Sequence, residues 1–228
     1  MVDPFFIFKD KNSLNLDIVI KDEWLPPVVR ARDEVEIIEV PGRDGYLTIP
    51  KDRKEPVVKK VNGILINEDK KVEVREWLQG KGKLILSNDR DVFYFAQILN
   101  PVNFYYHWTN GWEFEIEFFC QPYGYLYEGQ RVVTINKQKT VLHNPTDEVA
   151  KPLIKIYGSG DVDLIINNNI NKFNIDGYVE IDSELMESYK DNSLVVFAGD
   201  FPKLKTGENV ISWNGSVEKI EIVPRWRR

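Results

Sequence analysis

Glu113-Phe114-Glu115-Ile116-Glu117-Phe118 alternates carboxylate and hydrophobe without a break. A two-residue period puts successive side chains on opposite faces of a strand, so one face is built for a core and the other for water. The same period runs through most of Glu34-Val35-Glu36-Ile37-Ile38-Glu39-Val40. It also opens Asn15-Leu16-Asp17-Ile18-Val19-Ile20 before that segment turns wholly apolar. Such patterns suit sheets with one buried and one wet face. The supply of Val, Ile, Phe and Tyr points the same way.

Working outward from these strands, one segment carries a helical period. Over residues 68–79, Val74, Trp77 and Leu78 follow the spacing of a buried helix face. Asn67 stands where a cap is wanted, Glu68 and Asp69 favour the positive end, and Gly80 suits a left-handed terminus. A weaker helical pattern covers Ser183–Tyr189. Ser87-Asn88-Asp89-Arg90 reads as a hairpin connection between Leu84-Ile85-Leu86 and Val92–Ala96.

Pro122, Gly124 and Gly129 interrupt the pattern between Tyr123 and Val132, and fresh strand periodicity follows. The second half is punctuated by Asn144-Pro145, Gly158-Ser159-Gly160, Asn167-Asn168-Asn169, Asp176-Gly177, Gly199-Asp200 and Asn214-Gly215. Read as turns, these separate short strands such as Leu153–Tyr157 and Leu194–Phe197, the spacing of a sandwich. The expectation is a mainly β protein of two domains, residues 1–130 and 131–228.

The 228 residues are 43% hydrophobic, enough for packed cores. Net charge is −6; residues 1–130 hold 22 acidic and 17 basic side chains, so neither half is a basic nucleic-acid platform. No apolar run reaches the roughly 20 residues of a membrane span. The start, Met1–Lys9, reads as a strand rather than a signal peptide, and predicts folding in the cytoplasm.

Catalytic patterns are missing. His107, His143 and a lone Cys120 give no zinc spacing, and one cysteine forms no internal disulfide. Gly80-Lys81-Gly82-Lys83 lacks the spacing of a phosphate loop, and Gly158-Ser159-Gly160 lacks that of a nucleophile elbow. Glu113, Glu115 and Glu117 share a strand face, read as solvated or subunit-facing. Cys120 reads as a small buried hydrophobe. Phe104, Tyr105, Tyr106, Trp108 and Trp112 cluster around Gly111, and Trp213 follows Ile211-Ser212. Exposed aromatics of this kind can stack on sugar rings, whereas buried ones are core. The terminal Arg225-Trp226-Arg227-Arg228 reads as a solvated tail.

Taken in order, many short landmarks resemble the distal tail protein (Dit) family of long-tailed bacteriophages. They are Phe6-Ile7-Phe8, Asn12-Ser13-Leu14, the Val40-Pro41-Gly42-Arg43-Asp44-Gly45 turn, Trp77-Leu78-Gln79-Gly80 and Phe118–Tyr123. The series continues through Pro152-Leu153-Ile154, Ile181–Glu184, Gly199-Asp200-Phe201-Pro202 and Pro224–Arg227. Their shared order over the chain carries the resemblance.

The resemblance implies an N-terminal β-sandwich with one α-helix and a projecting hairpin, followed by a galectin-like β-sandwich. It implies a structural protein, not an enzyme, with no cofactor or metal and no membrane insertion. Six copies would form a ring, single or stacked, between the tail tube's major tail protein and the tail-associated tip protein. A receptor-binding protein would attach, and DNA would pass a central channel without specific binding, at the virion tail tip. The acidic excess of residues 1–130 suits such a channel.

A closed ring joins two different patches head to tail. These are expected on the N-terminal domain, at the Arg43/Asp44 turn and in a charged hairpin region around residues 51–61. Arg43 and Asp44 serve either a ring contact or the turn itself. The alternative reading is a carbohydrate-binding module or adhesin, with Trp213 as its glycan contact; a tail-associated glycosidase is a third.

Overall fold

The structure, a computed structural model, describes residues 3–21, 23, 25–109 and 111–228. The chain divides into two compact units, Met1–Gly124 and Tyr125–Arg228.

The first unit runs β1 (Phe6–Phe8), β2 (Lys11–Asn12), β3 (Ile18–Val19), β4 (Asp33–Glu39), β5 (Tyr46–Lys54) and β6 (Val57–Leu65). It continues with α1 (Lys71–Trp77), β7 (Gly80–Leu86), β8 (Asp89–Ile98), β9 (Phe104–His107) and β10 (Gly111–Leu126). Among the described residues these make an eight-stranded sheet, ordered β2-β1-β7-β8-β10-β6-β3 with β9 also on β10. β4 and β5 stand apart as a two-stranded sheet.

The opening stretch behaves as its period requires. Phe114, Ile116, Phe118 and Cys120 point into the core, while Glu115 and Phe119 point out. Phe118 meets Phe6 and Phe8 at ring distances of 5.5 and 5.3 Å, and Phe6 stacks on Trp77 at 5.3 Å. A short 3-10 turn, Glu68–Lys70, leads into α1, and Asn67 Oδ1 accepts the Asp69 N–H at 3.1 Å as its cap. Val74, Trp77 and Leu78 are buried. Trp77 Nε1 donates to Phe8 O at 2.7 Å, satisfying the one polar atom that its burial would strand. β7 and β8 form the expected hairpin, with Leu86 opposite Asp89.

The second unit contains β11 (Val133–Ile135), β12 (Thr140–Asn144), β13 (Leu153–Ile166), β14 (Asn169–Asp182), β15 (Glu187–Lys190), β16 (Ser193–Leu194) and β17 (Gly207–Val223). Among the described residues they form one seven-stranded sheet, ordered β11-β17-β13-β14-β15-β16 with β12 also on β17. The sheet curls onto itself. Ile154, Ile156, Val162, Leu164 and Ile166 of β13 share one core with Phe173, Ile175, Val179 and Ile181 of β14, and with Ile211, Trp213, Ile220 and Ile222 of β17. Both units are therefore curled β architectures, a two-domain β-sandwich with one short helix.

Three expectations change here. The short strands of the second half are long ones, because Gly158-Ser159-Gly160, Asp176-Gly177 and Asn214-Gly215 lie inside strands of 14 to 17 residues. Gly158 faces Gly177, and the β13–β17 register shifts on either side of Gly158-Ser159. A Cβ on Gly158 would stand 2.2 Å from Ser216 O, and one on Gly215, whose φ is +90°, 2.2 Å from Asp161 O. These glycines therefore serve a band of bulges where strand backbones approach closely, the other use of the freedom that makes turns.

The helical reading of Ser183–Tyr189 is also overturned. Asp182 Oδ1 accepts the Glu184 and Leu185 N–H groups, Met186 turns left-handed at φ +58°, and β15 begins at Glu187. A side chain that captures the local donors competes with the helix for them.

The third change is the C-terminus. Trp226 and Arg227 are buried, and Leu126 N–H donates to Trp226 O at 2.9 Å. Arg227 Nε donates to Val149 O at 2.9 Å. The segment is part of the second unit's core rather than a solvated tail.

Candidate assembly interface

The β4–β5 hairpin is the part of the first unit that its own fold leaves unused. Glu36 faces Ile49, Ile37 faces Thr48 and Glu39 faces Tyr46, so the ribbon pairs with itself, with one shift of register between Asp33 and Val35. Alternation in Glu34–Val40 predicts one buried face, yet Ile37 is 60% exposed, Tyr46 64% and Ile49 49%. By strand parity Val35, Ile37 and Tyr46 lie on one face, and Ile38, Leu47 and Ile49 on the other. Both faces carry uncovered hydrophobes. An isolated two-stranded ribbon is marginal in water, and fully burying such side chains contributes about 1.5–3 kcal/mol each.

The base of the ribbon holds its charges together. Arg53 Nε lies 2.6 Å from Glu34, and Lys51 lies 3.5 Å from Glu34 and 3.9 Å from Glu36. The Arg53 hydrogen bond holds the Glu34 carboxyl below its usual value. At the tip, Gly42 and Gly45 take φ of +78° and +83°, and the Arg43 N–H donates to Val40 O at 3.1 Å. Arg43 and Asp44 are exposed, and among the described residues neither side chain makes an ion pair. The tip encloses a concavity of about 420 Å³ lined by Glu39, Pro41, Arg43 and Tyr46. The hairpin spans Asp33–Lys54 rather than residues 51–61: Pro56 ends the ribbon, and Val57 begins β6 of the main sheet.

On that sheet, Glu115 and Glu117 flank Lys60, which pairs with Glu117 and lies 3.9 Å from Glu115. Glu113 lies 3.3 Å from His107 Nε2. The aromatic cluster divides. Phe104 packs on Phe114 at 5.5 Å and Trp112 carries Lys71 Nζ 3.3 Å from its ring centre, while Tyr105, Tyr106 and Trp108 stay exposed. Trp213 is 8% exposed within the core of the second unit, where its indole offers no free face to a sugar. Among the described residues no group of three His, Cys, Asp or Glu is placed to hold a metal.

Two polar features escape the sequence reading. Lys59 is 1% exposed, its Nζ 4.2 Å from the Tyr94 ring centre and without a hydrogen-bond acceptor among the described residues. Desolvation lowers its pKa, opposed in part by the Asp89 carboxylate. Burial pushes the neighbouring Cys120 thiol up to about 12, so it stays a protonated, inert packing group. In the second unit, Arg225 bonds Asp182 through two nitrogens, and Tyr125 OH donates to Glu184 at 2.5 Å. A signal existed for the first: Lys59 shares its strand parity with Val61 and Leu65. None existed for the second, whose partners are 43 residues apart.

With this geometry in view, the fold belongs to a recognisable class: two curled β units with one short helix and a free-standing hairpin, a Dit-like fold. One solved structure it is similar to is the Dit protein (gp 19.1) of SPP1, described as a paradigm of the hub adsorption apparatus in Gram-positive-infecting phages. The TM-score is 0.71 over 96% of this chain and 97% of that one, at 11% sequence identity. No protein-family model matches the chain, and no curated protein sequence does. The resemblance read from the ordered landmarks thus meets a likeness of fold.

Proposed function

We propose that the protein is a structural distal tail protein of a long-tailed bacteriophage or prophage. Six copies close into a hub ring through the first unit, singly or as stacked rings. The second unit, as a galectin-like sandwich, faces outward. The ring joins the tail tube's major tail protein to the tail-associated tip protein, carries receptor-binding protein at the virion tail tip, and leaves a channel through which DNA passes unbound. The protein works by contact and not by catalysis.

The observation that carries this reading is the match of both units, in one chain and over nearly its whole length, to a hub protein. The hairpin supports it independently: a ribbon apolar on both faces is stable when neighbours cover it. Electron microscopy of the purified protein tests the reading. Six-fold rings with a central hole are expected, and particles of a single chain at every concentration would overturn it.

A further inference from the structure

The outer face of the first unit's sheet carries a groove of about 370 Å³, bordered by Lys81, Lys83, Phe95 and Phe119. Phe95 lies opposite Lys83, and Phe119 opposite Val58. Phe95, Phe119 and Val58 are 41%, 39% and 48% exposed, so strands β8, β10 and β6 all present part-exposed hydrophobes on this face, Phe95 with its ring 5.3 Å from that of Phe93. Among the described residues neither Lys81 nor Lys83 makes an ion pair; Lys83 lies only over the Phe93 ring, at 4.8 Å.

We propose that this groove seats the β4–β5 hairpin of a second copy of this chain. The proposal rests on the ring reading and names the surface that closes the ring. The face of the ribbon bearing Val35, Ile37 and Tyr46 also bears Glu39, which makes no ion pair among the described residues. An apolar ribbon face with a carboxylate thus meets a groove that sets two exposed phenyl rings beside two ammonium groups, none of the three charges making an ion pair among the described residues. Glu39 lies two residues, about 7 Å, from Ile37, and the lysines lie within one or two strand spacings of Phe95. Both surfaces are exposed in the same chain, so the hairpin does not reach its own groove. Hairpin and groove are different patches, as head-to-tail closure requires. The opposite ribbon face, with Ile38, Leu47 and Ile49, is left for a further neighbour in the assembly.

The test uses the full chain with a photoreactive benzoylphenylalanine in place of Tyr46. Irradiation of the assembled protein should give intermolecular cross-links to peptides holding Phe95 and Phe119. Phe119→Glu should lower both assembly and cross-link yield about tenfold or more while leaving the melting temperature of dilute protein unchanged. Lys81→Glu with Lys83→Glu should weaken assembly, and adding Glu39→Lys should restore it. Oligomers whose cross-links map elsewhere would overturn the seat and leave the ring reading standing. Protein that stays a single chain by mass at all concentrations would overturn both.

Discussion

Arg225 grips Asp182 with two parallel hydrogen bonds, 2.7 and 2.8 Å long, across 43 residues of sequence. The pair is nearly enclosed, the Asp182 side chain being 5% exposed and that of Arg225 18%. Burial pushes the Asp182 carboxyl up. The Arg225 hydrogen bonds and the N–H groups of Leu185 and Glu184 more than offset this and hold it low. A carboxylate whose folded pKa is depressed lends stability that is present above its unfolded value, near 4, and lost as pH falls through the folded value. Melting temperature of the wild type should therefore fall below about pH 4. Asp182→Asn should melt lower at pH 7, by about 3–5 kcal/mol of stability for a broken buried pair. Its profile should also be flatter below pH 4; equal acid slopes in the two proteins would refute the assignment.

Lys59 makes the opposite prediction. An ammonium with no hydrogen-bond acceptor among the described residues is costly to bury, and contact with the Tyr94 ring offsets only part of that cost. Lys59→Met, which keeps the stem and drops the charge, should raise the melting temperature at pH 7. Because the folded pKa is lowered, the wild type gains stability as pH rises toward the unfolded lysine value near 10.4. The advantage of the variant should shrink over that range. A variant that melts lower at both pH 7 and pH 10 would show that the amine has a stabilising partner.

Two glycines with similar backbone angles should respond differently to alanine. Gly160 has φ of +73° with open space around its missing Cβ, so Gly160→Ala should cost about 1–2 kcal/mol for the left-handed conformation. Gly215 has φ of +90°, and its Cβ would collide with Asp161 O, so Gly215→Ala should cost roughly 4 kcal/mol or more. Urea midpoints of the two variants measure the difference directly. Equal midpoints would mean the band of bulges can relax.

At the hairpin tip, Arg43→Ala and Asp44→Ala remove exposed side chains that make no ion pair among the described residues. Melting temperature should change by no more than about 0.5 kcal/mol of stability. Mass in solution is the second readout. A smaller assembly with unchanged melting assigns the pair to the ring contact, and an unchanged assembly with lower melting assigns it to the turn.

Strand character was legible wherever the alternation was clean, as at Glu113–Phe118. So was the helix, whose cap Asn67 and face Val74/Trp77/Leu78 are all local features. Reading failed where local chemistry has two uses. Asp176-Gly177 and Asn214-Gly215 have turn composition, and the backbone freedom that makes a hairpin also makes a bulge; which one forms depends on strands far away in sequence. The Arg-rich end looked soluble because nothing nearby pairs with it; its partners are Asp182, Val149 and Leu126. At the candidate interface, the alternation of Glu34–Val40 correctly marked a strand with a face to cover. It could not say that, among the described residues, nothing covers that face.

The band of bulges through β13 and β17, with Gly177 of β14 beside it, has a mechanical consequence. These three strands each supply core residues from both of their halves, so the two walls of the second unit are joined by continuous polypeptide. Prising the walls apart would have to extend covalent chain at three places, not merely unzip side-chain contacts. A load applied to one wall is carried to the other through peptide bonds.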